Sequence, residues 1–182
     1  FRKTYIISEN EAGLVVIDQH ALYERLIYDT YLKSMRKKDL RIQTFKVSLL
    51  MELSSHESEL LEQFLDPLAL SGFGINAFGR NTFTVETIPE FLRDDQVKKV
   101  IMKILDRLLL SSKRDHNDEI LKDICQVLAA HCAKFSEYDL SKTEMNCLLA
   151  KWEELGSPVT SINDNPILME LSLQELEKKF IR

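Results

Sequence analysis

Apolar and polar positions alternate near both ends of the chain, and apolar positions recur at helical spacing through most of the middle. Residues 4–8 read as a strand, 9–13 as a turn and 14–17 as a second, wholly apolar strand, which makes the opening a β-hairpin. A helix follows over about 20–35, with Tyr23, Leu26, Ile27 and Tyr31 as its apolar stripe. Residues 42–50 read as extended. Ser54 with Glu57 three residues later marks a helix start, and that helix is expected to run to about 65, where Pro67 and Gly72 end it. A second hairpin spans 73–78 and 82–85, and 88–92 reads as a link. Asp94 or Asp95 opens a helix carrying Val97, Ile101, Ile104, Leu105 and Leu108 in register. After a polar connection over 111–117, another helix is expected from 118 to about 135. Ser141 and Glu144 open a helix to Leu155 that Gly156 and Pro158 stop. A strand over 167–171 and an amphipathic helix over 172–180 complete the chain. This is an α+β pattern. The β-rich ends, 1–43 and 132–182, bracket a middle, 44–131, of hairpin and helices that reads as an inserted subdomain.

The strand-to-helix junction concentrates the chemistry. Asp18-Gln19-His20 ends the apolar run, and Asp18 is a good N-cap residue. His20 and Glu24, four apart, share one helix face. An imidazole and two carboxylates therefore meet at one helix start, a set that suits a divalent metal or a polarised water. The same residues also serve as a cap with solvated neighbours and an i,i+4 surface pair, and the pattern alone leaves both readings open.

Composition narrows the class. The 182 residues carry a net charge of −5, with one basic cluster, Lys33, Arg36, Lys37, Lys38 and Arg41, read as a solvated helix end. This excludes the strongly basic footprint of an independent nucleic-acid binder. The three cysteines, Cys125, Cys132 and Cys147, have no C-x-x-C spacing, which favours reduced thiols and a cytoplasmic setting. No apolar run is long enough for a membrane span. The first residue is Phe1 rather than Met, so the chain is expected to be part of a longer protein. His131 and Cys132 are neighbours on a helix and diverge by roughly 100°, which rules out a mutual nucleophile pair.

At Asp18-Gln19-His20-Ala21-Leu22-Tyr23-Glu24-Arg25 the sequence resembles the C-terminal domain of the MutL mismatch-repair family, in which a D-Q-H-A-x-x-E-R segment follows a strand. The opening hairpin, Cys132 on a late helix, the S-x-x-E-x-x-x-L-L pattern from Ser141, and the segments Pro158-Val159-Thr160 and Pro166-Ile167-Leu168 agree in order. The resemblance implies a homodimeric dimerisation domain joined to an upstream ATPase domain that would bind ATP. Both chain ends would form the dimerisation subdomain, and the middle would be an external, regulatory one. DNA and the mismatch-recognition protein MutS would be engaged through the full-length protein. The late strand near 167–171 and the opening hairpin would supply the apolar interface. In many members the domain is also a latent metal-dependent endonuclease. On this chain the matching residues are Asp18, His20 and Glu24 as catalytic candidates, and His20, Glu24 and Cys132 as metal candidates, for zinc or manganese.

The match is incomplete. Asp29 stands where the family has a second Glu, and Glu137 where a basic residue is expected. In place of T-C-P-H-G-R-P the chain has Thr160-Ser161-Ile162-Asn163-Asp164-Asn165-Pro166. Ser161 and Asn163 thus replace a thiolate and an imidazole with poor zinc donors. Asp164 could supply an oxygen for a harder metal, but Asn163-Asp164-Asn165-Pro166 also suits a turn. The family's clamp-binding Q-x-x-L-x-P is reduced to Gln43-Thr44-Phe45-Lys46-Val47-Ser48, so sliding-clamp contact is expected to be feeble or absent. The resulting expectation is a dimerisation domain in DNA repair with an eroded endonuclease site and no cofactor; the alternative is a weak zinc- or manganese-dependent DNA-nicking domain.

Overall fold

The computed structural model describes residues 2–110, 117–133 and 140–180. In chain order its elements are β1 (Tyr5–Asn10), β2 (Gly13–Asp18), α1 (Gln19–Lys37), β3 (Ile42–Glu52), α2 (Ser55–Gln63), α3 (Leu65–Leu70), β4 (Gly74–Gly79), β5 (Thr82–Pro89), a 3-10 turn (Asp94–Gln96), α4 (Val97–Leu110), α5 (Asn117–Ala133), α6 (Lys142–Glu154), β6 (Leu168–Ser172) and α7 (Leu173–Phe180). The fold is α+β. It divides into two compact units, Phe1–Asp29 with Ala133–Arg182, and Thr30–Cys132. The division falls inside α1, whose first half packs with the chain ends through Leu22 and Leu26. The expected connection over 111–116, the helix end near 135 and Glu137 lie outside the described residues.

The first unit is built on an antiparallel sheet in the order β1-β2-β6. Asn10 closes the hairpin turn, its Oδ1 accepting the N–H groups of Ala12 and Gly13 at 2.9 and 3.0 Å. Gly13 has a φ of 151°, and a Cβ there would stand 2.1 Å from the Leu171 carbonyl oxygen, so only glycine lets β2 and β6 approach at this point. Alternation along the strands sends Ile6, Val15 and Ile17 into a core with Leu22, Leu26, Leu148 and Ile167. The buried side of α1 in this unit therefore runs through Leu22 and Leu26, while Tyr23 packs at the core's margin. The opposite strand positions form cross-strand rows: Ile7 faces Val16, which faces Met169, and Leu14 faces Leu171. Ile7 and Met169 are 49% and 54% exposed. Two capping boxes fix helix starts here, Ser141 with Glu144 and Ser172 with Glu175. The second had no place in the sequence reading, which began the helix at Ser172 itself.

The second unit has its own antiparallel sheet, in the order β3-β5-β4, interrupted between Thr44 and Leu49 by a register shift. Phe83, Val85 and Ile88 of β5 are buried, as are Val100, Ile101, Ile104, Leu105 and Leu108 of α4 and Ile124, Cys125 and Leu128 of α5. The helical spacing read for α4 is the buried face observed. Tyr31 donates to the Ser71 carbonyl at 2.7 Å and meets Phe91 edge-on at 5.2 Å between ring centres. Two readings need correction. Pro67 does not end the helix begun at Ser55. That helix breaks at Phe64, whose φ is −116°, and Pro67 sits in the first turn of α3, where its missing N–H has no intrahelical acceptor to lose. Residues 88–89 are not a link: β5 continues to Pro89, opposite Ile42, because pairing with β3 outlasts the pairing with β4.

Candidate functional site

The junction residues take the positions their chemistry suggests. Asp18 closes β2, and its backbone N–H donates to the Ile167 carbonyl at 2.8 Å. Its Oδ1 accepts the Ala21 N–H at 2.9 Å, so this carboxylate works as the N-cap of α1. His20 and Glu24 follow on the first turns of α1, both half-buried. Burial raises the Glu24 carboxyl above its ordinary value, and the nearby His20 partly offsets the rise.

One turn further on, Arg25 does work that sequence reasoning gave it no part in. Its Nε donates to Asp29 at 2.7 Å, and its Nη1 donates to the Thr160 carbonyl at 2.8 Å. The pairing with Asp29 was legible as an i,i+4 spacing. The bond to Thr160 was not, since its acceptor is a backbone atom 135 residues away. Asp29, at the place of the family's second Glu, is thereby engaged by a guanidinium.

Thr160 opens the segment that replaces the family's last motif, and this segment is a closed turn. Thr160 bridges Pro166, and the Ser161 N–H donates to the Asn165 carbonyl at 2.7 Å. Ser161 is buried, and its Oγ accepts the N–H groups of Asn163 and Asn165 at 3.3 and 3.2 Å. The Asp164 N–H returns to the Ser161 carbonyl at 3.2 Å, and Asp164 takes a φ of 60°, a conformation Asp tolerates better than most residues. The hydroxyl at the position of a family thiolate is thus the hub of a turn, its lone pairs directed at backbone donors. Asn163 and Asp164 are exposed.

Cys132 belongs to the second unit, near the end of α5. Burial pushes its thiol up to about 12, and the same holds for Cys125, whose Sγ lies 3.1 Å from the Met35 sulfur. Among the described residues, no three His, Cys, Asp or Glu side chains of the first unit are placed to hold a metal ion. The candidate donors of that unit fit zinc poorly: the His20 imidazole, the Glu24 carboxylate, an Asp18 carboxylate committed to a cap, an Asp29 carboxylate paired with Arg25, and a neutral Ser161 hydroxyl committed to a turn.

The clamp-motif position is likewise in structural use. Gln43 donates its side-chain amide to the Leu92 carbonyl, and Lys46 to Ser48 lie exposed in the register shift of β3. The basic cluster is partly paired, Arg36 meeting Asp118 at 2.9 Å. No described helix is long and apolar enough to cross a membrane.

Beside the junction, the first unit offers a surface of a different kind. The row Ile7–Val16–Met169 gives one sheet face an apolar centre, the next row reads Glu9–Leu14–Leu171 with its charge at the β1 edge, and Tyr5, paired with Asp18, is 41% exposed. The sequence reading anticipated an apolar interface from the opening hairpin and the late strand. The individual residues follow only from the register.

The family model for the MutL C-terminal dimerisation domain matches residues 1–137. The DNA mismatch repair protein MutL of Rickettsia typhi is 33% identical over 178 residues, covering 97% of this chain and 30% of that protein. MutL of Elusimicrobium minutum is 31% identical over 182 residues, and MutL of Staphylococcus aureus 28% over 179. The chain spans about 30% of the length of such relatives. With the D-Q-H-A-x-x-E-R junction in place after its strand and the match running through most of its length, this chain belongs to the MutL C-terminal dimerisation domain family.

Proposed function

We propose that this chain is the non-enzymatic dimerisation clasp of a mismatch-repair protein of the MutL kind, joining two identical subunits through the bare face of the β1-β2-β6 sheet. The observation that carries the reading is the unbroken apolar row Ile7–Val16–Met169, flanked by Leu14–Leu171, on a sheet whose other face already lines a core. Covering such a face removes apolar area from water at about 25 cal/mol per Å². Joining two copies places whatever is attached to each, here two upstream ATPase-bearing regions, at high effective concentration. MutS and DNA are then reached through the remainder of the subunits, in the cytoplasm, and this domain contributes no sliding-clamp contact.

Asp18, Asp29 and Ser161 serve the architecture in this reading: a cap, an ion pair and a turn hub. No metal cofactor is required, because the 160–166 turn is closed by its own hydrogen bonds and by Arg25.

Sedimentation equilibrium of the chain and of Met169→Glu tests the clasp. A wild-type dimer and a folded monomeric variant are expected. A monomeric wild type at high micromolar concentration, or a variant that dimerises like the wild type, overturns it. Zinc and manganese retained after dialysis, with His20→Ala and Cys132→Ala alongside, test the metal reading. Metal well below one equivalent is expected, and near-stoichiometric metal lost in both variants would restore the endonuclease alternative.

A further inference from the structure

A groove of about 220 Å³ runs between the start of α1 and α6, wholly within the first unit. Helix spacing builds it. Thr143, Cys147 and Lys151 share one face of α6 over about 12 Å of its length. Gln19 and Tyr23, on the first turns of α1, form the facing wall. The lining is mostly apolar. Leu148 belongs to the core of the unit, and Tyr23 and Leu140 pack at that core's margin, so the groove opens onto the core's edge. Cys147 is exposed beside it.

The two charged groups that line the groove are used differently. The Glu144 carboxylate is committed to the start of α6, accepting the Ser141 N–H at 2.7 Å in the capping box. Lys151, about two turns on, is exposed and makes no ion pair with a described residue. The groove therefore offers an apolar centre and, at one end, an uncommitted ammonium. Its size narrows the class of ligand further. Clefts that hold whole small molecules measure about 300–1,000 Å³. This groove is smaller and has room for one large side chain.

We propose that the groove docks a short acidic segment of a partner protein. One bulky apolar side chain of that segment seats against Tyr23, Leu140 and Leu148, and a carboxylate beside it meets Lys151. A large side chain in a desolvated pocket is where binding energy concentrates at protein interfaces, and the charge selects which segments approach. The inference is independent of the sheet clasp, since no residue of the Ile7–Val16–Met169 row lines the groove.

The test selects peptides from a random library displayed on phage, using the wild-type chain as target and Cys147→Trp, whose indole would fill the groove, as counter-target. Enriched peptides should share a Leu, Phe or Trp beside Asp or Glu. As synthetic peptides they should bind Cys147→Trp about thirtyfold more weakly or worse. Lys151→Glu should weaken them about threefold, the scale of one exposed ion pair. Met169→Glu should bind them like the wild type. A second readout needs no variant: peptide at saturation should slow alkylation of Cys147 in the wild-type chain severalfold. The proposal is overturned if no sequence is enriched, if the consensus is basic or lacks the anchor, or if Cys147→Trp binds the peptides equally well. Peptides that split the wild-type dimer would place the groove in the seam between copies and overturn it too. Should the clasp fail instead, with Met169→Glu dimerising like the wild type, peptide binding at the groove is unaffected.

Discussion

Each unit holds a three-stranded antiparallel sheet with one face on a core, and the two differ on the other face. In the second unit a cross-strand row on that face reads Leu50–Thr84–Asn76, polar at two of three positions with Leu50 58% exposed; in the first it reads Ile7–Val16–Met169, apolar at all three. Polar groups on an outward face are the ordinary arrangement for an antiparallel sheet that meets water. An apolar outer row departs from that arrangement, and the proposed clasp rests on it. The cores differ in the same direction. The second unit buries whole helix faces, with Ile101, Ile104 and Leu105 of α4 fully enclosed, whereas the first gathers seven buried residues around one side of its sheet. A small core leaves little margin over chain entropy, which the proposed clasp would widen.

The contrast can be broken from the side of the larger core first. Ile104→Ala should cost about 2–5 kcal/mol of unfolding free energy, read by urea denaturation, while the affinity of the remaining folded dimer is unchanged. Next come mirrored charges on the two outer faces. Met169→Glu should weaken dimerisation about a hundredfold, near 3 kcal/mol, because a lone carboxylate would be buried in the seam. Asn76→Glu, on the solvated row of the other sheet, should leave both affinity and stability within about 0.5 kcal/mol. A shift of affinity by the second variant would undo the distinction between the sheets.

A smaller effect is expected at the turn that replaces the family motif. Ser161→Ala removes the acceptor shared by two backbone N–H groups and should cost about 1–2 kcal/mol, with faster amide exchange at Asn163 and Asn165. The wild-type melting temperature should be the same with a chelator or with added zinc. A rise of several degrees with zinc would show that the segment still responds to metal.

The smallest effect separates the units by their thiols. Cys147, exposed on α6, should be alkylated first in the native chain. Burial holds Cys125 and Cys132 near 12, so at pH 9 only about one in a thousand of either is thiolate. Raising the pH from 7 to 9 should therefore leave both slow until denaturant opens the second unit, which mass spectrometry of the alkylated peptides would show.

What the sequence determined by itself is local. Asp18 was legible as a cap, because its side chain reaches an N–H only three residues on; the boxes of Ser54 with Glu57 and Ser141 with Glu144 follow from the same short reach. The α4 stripe was legible because one helix face met one core. Pro67 was misread because a proline ends one helix or begins the next according to a break, at Phe64, set by packing. Only the tertiary structure decided the rest. The order β1-β2-β6 brought Ile7, Val16 and Met169 into one row from strands more than 150 residues apart. The Arg25 bond to Thr160 and the double use of the Ser161 hydroxyl likewise depend on where distant backbone falls. Periodicity records which side of an element is apolar. Which of those sides meets the chain's own core, and which is left for a partner, is settled by what packs beside it.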